Sequence, residues 1–186
     1  MVRTAMATPT AKGRALPHQS AASPSITPLS FAAGAQGFIV VDLPPDEPPA
    51  KEWITACTEN NLAFVPLVAP TSTDARLAQV AAAAGDTAAY VYCVSVTGVT
   101  GARSSMPEYL PAFIARVASA FGAGVPLVVG FGISEAAHVR HMYENVKAQG
   151  AVVGSAIVRA ADAAAKAGES PADAVQALVK SLTAAE

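Results

Sequence analysis

Five short apolar runs, each followed by a helical pattern, constrain this chain more than any other feature. The runs lie at 37–44, 62–68, 88–95, 126–131 and 150–153, and the helical patterns at 49–60, 74–84, 106–120, 135–147 and 155–166. Ser170-Pro171 opens a last amphipathic helix, since proline is welcome in a first turn. Strands that are apolar on both faces and separated by helices form parallel sheets covered on both sides, joined by right-handed crossovers. Five such units are more than half of an eight-stranded β/α barrel and less than a whole one, which takes about 250 residues. Two arrangements satisfy the pattern: an open doubly wound sheet, or a partial barrel with three strands missing from the front.

The chemistry concentrates where two of these runs end. Pro126-Leu-Val-Val-Gly-Phe-Gly-Ile-Ser134 and Gly150-Ala-Val-Val-Gly-Ser-Ala-Ile157 each stop at glycine and pass at once into a helix. A helix starting there points unpaired N–H groups and the positive end of its dipole at whatever occupies the strand ends, and two such joins side by side make an anion pocket. Gly130, Gly132 and Gly154 allow close backbone approach, and Ser155 adds a hydroxyl. In β/α barrels, the loops after the seventh and eighth strands are where phosphate sits. Gly130 by itself reads as an ordinary βα turn glycine.

Other polar residues read more plainly. Asp42 is the one carboxylate at a strand's C-terminal end and reads as a structural cap or inter-loop partner, with an acid–base role as the alternative. Tyr90 and Tyr92 alternate with Val91 and share one face, which is either pocket or core. Thr73 is placed to cap the helix at 74–84. His138 and His141, three apart on a helix, read as a solvated face rather than a metal pair. Cys57 and Cys93 lie in apolar patterns and read as buried thiols in a reducing compartment.

With 52% hydrophobic residues, 14% charged residues and a net charge of −2, the 186-residue chain has the composition of a globular domain. It offers no basic stripe for nucleic acid or an anionic membrane, and no apolar run of membrane-spanning length. Residues 1–33 differ from the rest: they are rich in Ser, Thr, Ala and Pro, carry Arg3, Lys12 and Arg14 and have no acid. That composition predicts a disordered tail, with the make-up of a transit peptide or of a mis-assigned first exon. Localisation is accordingly cytoplasmic, or plastid if the tail is a transit signal. The domain is expected over 34–186.

Five segments, in order, resemble the alpha subunit of tryptophan synthase. They are Val41-Asp-Leu-Pro44, Ala69-Pro-Thr-Ser-Thr-Asp74, Tyr92-Cys-Val-Ser-Val-Thr-Gly-Val-Thr-Gly-Ala102, Gly130-Phe-Gly-Ile-Ser134 and Gly154-Ser-Ala-Ile157. The resemblance implies a partial (β/α)8 TIM barrel carrying strands four to eight of the family's eight. It also implies retro-aldol cleavage of indole-3-glycerol phosphate to indole and glyceraldehyde 3-phosphate, with indole passed to a beta subunit. By the same likeness Gly132, Gly154 and Ser155 hold the substrate phosphate, Phe131 flanks the ligand and Tyr92 lines the indole pocket. Thr100 and Gly101 belong to a loop that closes over the site, and Pro44 contacts the beta subunit. No cofactor belongs to this domain; pyridoxal phosphate belongs to the beta partner.

The family's acid–base pair is a glutamate on the second strand and an aspartate in the loop after it, and no segment of this chain resembles either. The chemistry needs one group to protonate indole C3 and another to take protons from the indole nitrogen or the glycerol hydroxyl. Binding residues are therefore expected here and catalytic ones are not. The rivals are a catalytically silent fragment that docks on a beta subunit, and a sugar-phosphate isomerase or epimerase barrel using Asp42. A partial barrel also leaves the strands near Phe38 and Val152 without neighbours, so the chain alone is expected to be marginal and self-associating.

Overall fold

The computed structural model describes residues 33–41, 43, 48–95, 107–130 and 132–184. They form two compact units, Met1–Pro66 with Gln79–Ala89, and Leu67–Ala78 with Tyr90–Glu186.

The smaller unit holds β1 (Gly37–Ile39), α1 (Pro48–Glu59) and β2 (Ala63–Val65). Strands β1 and β2 pair in parallel, with Phe38 opposite Phe64. Helix α1 buries Ala50, Trp53 and Cys57, one stripe at helical spacing. Trp53, Cys57, Leu62 and Phe64 form the core, and Phe38, Val40, Leu43 and Ile54 pack against them. The Phe38 and Trp53 rings meet edge to face at 5.1 Å, an orientation that sets a ring edge against a π face. Burial raises the Cys57 thiol to about 11.

The larger unit is built on β3 (Leu67–Val68), β4 (Val91–Val94), β5 (Leu127–Gly130) and β6 (Gly150–Val152), all parallel and in that order across the sheet. Helix α2 (Asp74–Ala84) follows β3, and α3 (Leu110–Phe121) precedes β5. After β5 come α4 (Ala136–His141) and a π turn (Met142–Val146); after β6 come α5 (Ser155–Ala167) and α6 (Pro171–Thr183). One face of the two central strands is buried, with Val91, Cys93, Leu127 and Val129 all at 3% exposure or less. Tyr92, Val94 and Val128 of the other face are only half-buried, whereas the sequence pattern, apolar on both sides, predicts two covered faces.

Element boundaries depart from the sequence pattern where a backbone donor or a wider turn intervenes. The run 62–68 is split at Pro66 into β2 and β3, because proline has no N–H to give to a ladder. The helix expected from 106 begins at Leu110 with proline in its first turn. The helix expected over 135–147 changes to π geometry at Met142, and Met142 and Val146 are both buried. Helix α2 has its expected bounds, and Thr73 Oγ1 accepts from the Arg76 N–H at 3.2 Å, an N-cap. Ser170 caps α6 in the same way, accepting from the Asp173 N–H at 3.3 Å.

Candidate functional site

The C-terminal ends of β4, β5 and β6 lie side by side. In register, Val94 is opposite Gly130 and Gly130 is opposite Val152. Gly132 and Gly154 each stand two residues beyond that last pair, and neighbouring strands are about 4.8 Å apart, so the two glycine joins leave the sheet together. Gly132 has φ of +79°, a conformation that L side chains rarely adopt. Gly154 has φ of −117°, so its backbone would accept any residue; a Cβ there would meet open space. Ser155 is the exposed first residue of α5, a thirteen-residue helix with no acid in its first turn. The positive end of that dipole is thus not offset by an acid of the helix's own first turn.

Tyr92 reaches across to the neighbouring strand. Its half-buried ring crosses β5 over the Cα of Gly130, in the space where a Cβ would stand against the Tyr92 hydroxyl and Cζ. Gly130 is therefore glycine to admit an aromatic ring, not to form the turn, which corrects the plainer sequence reading. Burial, and secondarily the neighbouring Tyr90, push the Tyr92 phenol up, so it stands as a neutral hydroxyl. Tyr90 itself is core, at 8% exposure.

Two polar residues, neither assigned a role from sequence, sit at the edges of this region. Ser95, 1% exposed, donates to the Gly130 carbonyl from both its N–H (3.0 Å) and its Oγ (2.7 Å). The Tyr109 hydroxyl donates to the Ser95 carbonyl at 2.9 Å. His138, 6% exposed, accepts at Nδ1 from the Ser134 N–H at 3.3 Å. The solvated-face reading of His138 is thus corrected. The His138 side of α4 is buried, and the imidazole satisfies the backbone N–H of Ser134 in the turn just before the helix. The signal was its i+4 spacing from Ser134, at the end of a glycine turn. Cys57 and Cys93 are buried free thiols, and burial lifts Cys93 to about 12. Among the described residues, no three His, Cys, Asp or Glu side chains could hold a metal, and no helix is long and apolar enough to cross a membrane.

Of the residues singled out from sequence, Gly132, Gly154 and Ser155 lie just beyond the C-terminal ends of β5 and β6, and Tyr92, within β4, reaches the end of β5 with its ring against Gly130. Pro44, Asp42, Thr100, Gly101 and Phe131 lie outside the described residues.

The family profile described as tryptophan synthase alpha chain matches residues 26–186. The tryptophan synthase alpha chain of Roseiflexus castenholzii is 49% identical over 127 residues, 68% of this chain and 45% of that one. The tryptophan synthase of Saccharomyces cerevisiae is 42% identical over 126 residues, 68% of this chain and 17% of that one. Mycobacterium tuberculosis tryptophan synthase superposes with a TM-score of 0.71 at 34% identity, covering 87% of this chain and 56% of that one. A structure of the tryptophan synthase α2β2 complex of Pyrococcus furiosus gives 0.72 at 30% identity, covering 87% and 60%. The chain spans about half the length of the curated alpha chains it matches, 45% for R. castenholzii. The fold class is that of a partial (β/α)8 barrel.

Proposed function

Because the chain belongs to the tryptophan synthase alpha family, we propose that it serves the alpha reaction of tryptophan biosynthesis as the phosphate-gripping part of the barrel. In this reading the substrate is indole-3-glycerol phosphate, cleaved by a retro-aldol step to indole and glyceraldehyde 3-phosphate. The observation that carries it is the pairing of two glycine joins at adjacent strand ends, Gly132 after β5 and Gly154-Ser155 after β6. Backbone N–H groups there, with the Ser155 hydroxyl and the start of α5, offer donors and positive potential to a phosphate monoester. Tyr92 borders the indole, with Phe131 beside the ligand and Thr100 and Gly101 in the segment that closes over it. No proton-transfer group is assigned to this chain, so its part in the reaction is to bind and orient. A beta subunit is the proposed partner, reached through Pro44, and pyridoxal phosphate belongs to that partner. Residues 1–33 are proposed as a tail outside the domain.

Titration of the chain with glycerol 3-phosphate, which carries the substrate's phosphate and glycerol, tests this. Saturable binding that Ser155→Ala weakens by about tenfold or more is expected, the worth of one hydrogen bond to a charged oxygen. Absence of saturable binding, or affinity indifferent to Ser155→Ala, overturns the phosphate assignment. Because nothing resembling the acid–base pair is present, a silent docking module is the second reading. Binding of a beta subunit without release of indole from indole-3-glycerol phosphate would mark it.

A further inference from the structure

Polar side chains at core positions demand an explanation, since each gives up hydration that only a well-made hydrogen bond restores. Ser95 stands two residues beyond Cys93 and four beyond Val91, on the strand face that is otherwise fully apolar. Its backbone N–H already satisfies the Gly130 carbonyl at 3.0 Å, so the hydroxyl bond at 2.7 Å is a second restraint on the same oxygen. Its own carbonyl is held by Tyr109 at 2.9 Å. His138, the other buried polar residue among the described residues, accepts at Nδ1 from the Ser134 N–H at 3.3 Å. Ser95 and His138 therefore act on the two ends of one turn, at Gly130 and at Ser134. Between those ends stands Gly132, at φ of +79°.

We propose that Ser95 and His138 are positioning residues that clamp the two ends of the turn carrying Gly132, holding its backbone N–H in place for a phosphate monoester. The proposal rests on the reading of Gly132 as a phosphate contact. A glycine turn is the most entropic stretch of backbone to order, and a donor that must be ordered on binding loses affinity. Tying both ends in the free protein removes that loss. His138 carries its proton on Nε2 in this arrangement, because Nδ1 is the acceptor.

Amide hydrogen exchange at Gly132 and Ser134 of the full chain, with and without glycerol 3-phosphate, tests the clamp. Ser95→Ala and His138→Ala are expected to speed exchange at these amides and weaken glycerol 3-phosphate binding by about fivefold to tenfold, the loss of one hydrogen bond's worth of order. His138→Asn puts an acceptor near the Nδ1 position and is expected to stay within about twofold of the parent. Ser95→Thr keeps the hydroxyl but adds a methyl at a fully buried site, so it is read only by exchange at Gly132 and Ser134, which should stay closer to the parent than in Ser95→Ala. If the alanine variants do not fold, Ser95→Cys and His138→Gln preserve volume while weakening or misplacing the bond, and carry the same expectation. Exchange at Gly132 and Ser134 unchanged by the disruptive variants overturns the proposal. So does exchange raised equally throughout β5 and β6, or Thr and Asn variants as impaired as alanine. If the parent chain binds no glycerol 3-phosphate while exchange responds as stated, the phosphate reading fails and the clamp stands.

Discussion

Gly130→Ala isolates the contact between β5 and the Tyr92 ring. Gly130 is absent from the positive-φ glycines, so its backbone would accept alanine, and the change alone would stabilise by about 0.4–1 kcal/mol through the unfolded chain. Against that, the new methyl would overlap the Tyr92 hydroxyl and Cζ and lie 2.7 Å from Cε1. Overpacking of that kind costs about 1–3 kcal/mol. The steric term wins, and a net loss of about 1–2 kcal/mol is expected, a fall of roughly 2–8 °C in midpoint for a chain of this size. The assay is far-UV circular dichroism on melting, which follows the helices and strands directly. Tyr92→Leu removes Cζ, Cε1 and the hydroxyl, and in that background Gly130→Ala should become neutral or mildly stabilising. Tyr92→Phe keeps Cζ and Cε1 and should rescue little. If Gly130→Ala destabilises the parent and the Tyr92→Leu background equally, the coupling is zero and the reasoning is refuted.

Thiols, a surface ion pair and open sheet edges supply three shorter tests. Native Cys57 and Cys93 should resist alkylation at pH 8 and react once urea unfolds the chain. Their folded values, about 11 and about 12, lie above the ordinary thiol value of 9.0, so the stability they contribute is intact below about pH 9 and declines as pH climbs through 9 toward those values. Urea midpoints at pH 8 and pH 10 measure the decline. Arg116 donates to Asp74 at 2.7 Å and to the Ser72 carbonyl at 2.6 Å, and Asp74 is 83% exposed. Asp74→Asn should therefore cost less than about 0.5 kcal/mol and Arg116→Met about 1 kcal/mol in urea titrations, because only the second also loses the carbonyl contact. Among the described residues β1 pairs only with β2, and β6 only with β5, leaving a free edge on each. Sedimentation velocity should show concentration-dependent self-association, and a monodisperse monomer with a sharp melt would contradict that.

The alternation of strand and helix was legible because it rests on short-range physics. Helix α2 begins and ends where the caps and alanines place it, from Asp74 to Ala84. Helix α5 begins at Ser155, straight after the β6 glycine. The strands are shorter than the apolar runs because such a run marks burial and not hydrogen bonding. Of the run 37–44 only Gly37–Ile39 pairs in a ladder. The π turn at Met142 was not legible, because Met142 and Val146 stand i, i+4, a spacing that the ordinary helical period already buries on one face and that carries no mark of a wider turn.

At the site, the glycine joins were visible in sequence but their separate reasons were not. Gly132 is needed for φ, Gly130 for the ring of Tyr92, and Gly154 for neither. Only a cross-strand contact distinguishes the second case, because Tyr92 and Gly130 are remote in sequence and meet through the β4–β5 pairing. Ser95 was hidden for the same reason, because its partner Gly130 lies on another strand, whereas His138 is only four residues from Ser134 and its contact is local. A serine closing an apolar run looks like a strand end, and a histidine on a short helix looks solvated, until the carbonyl and the N–H they serve prove to be the two ends of one turn. Sequence patterns thus place donors along the chain, while the restraint that orders a donor before its ligand arrives comes from residues on other strands and turns.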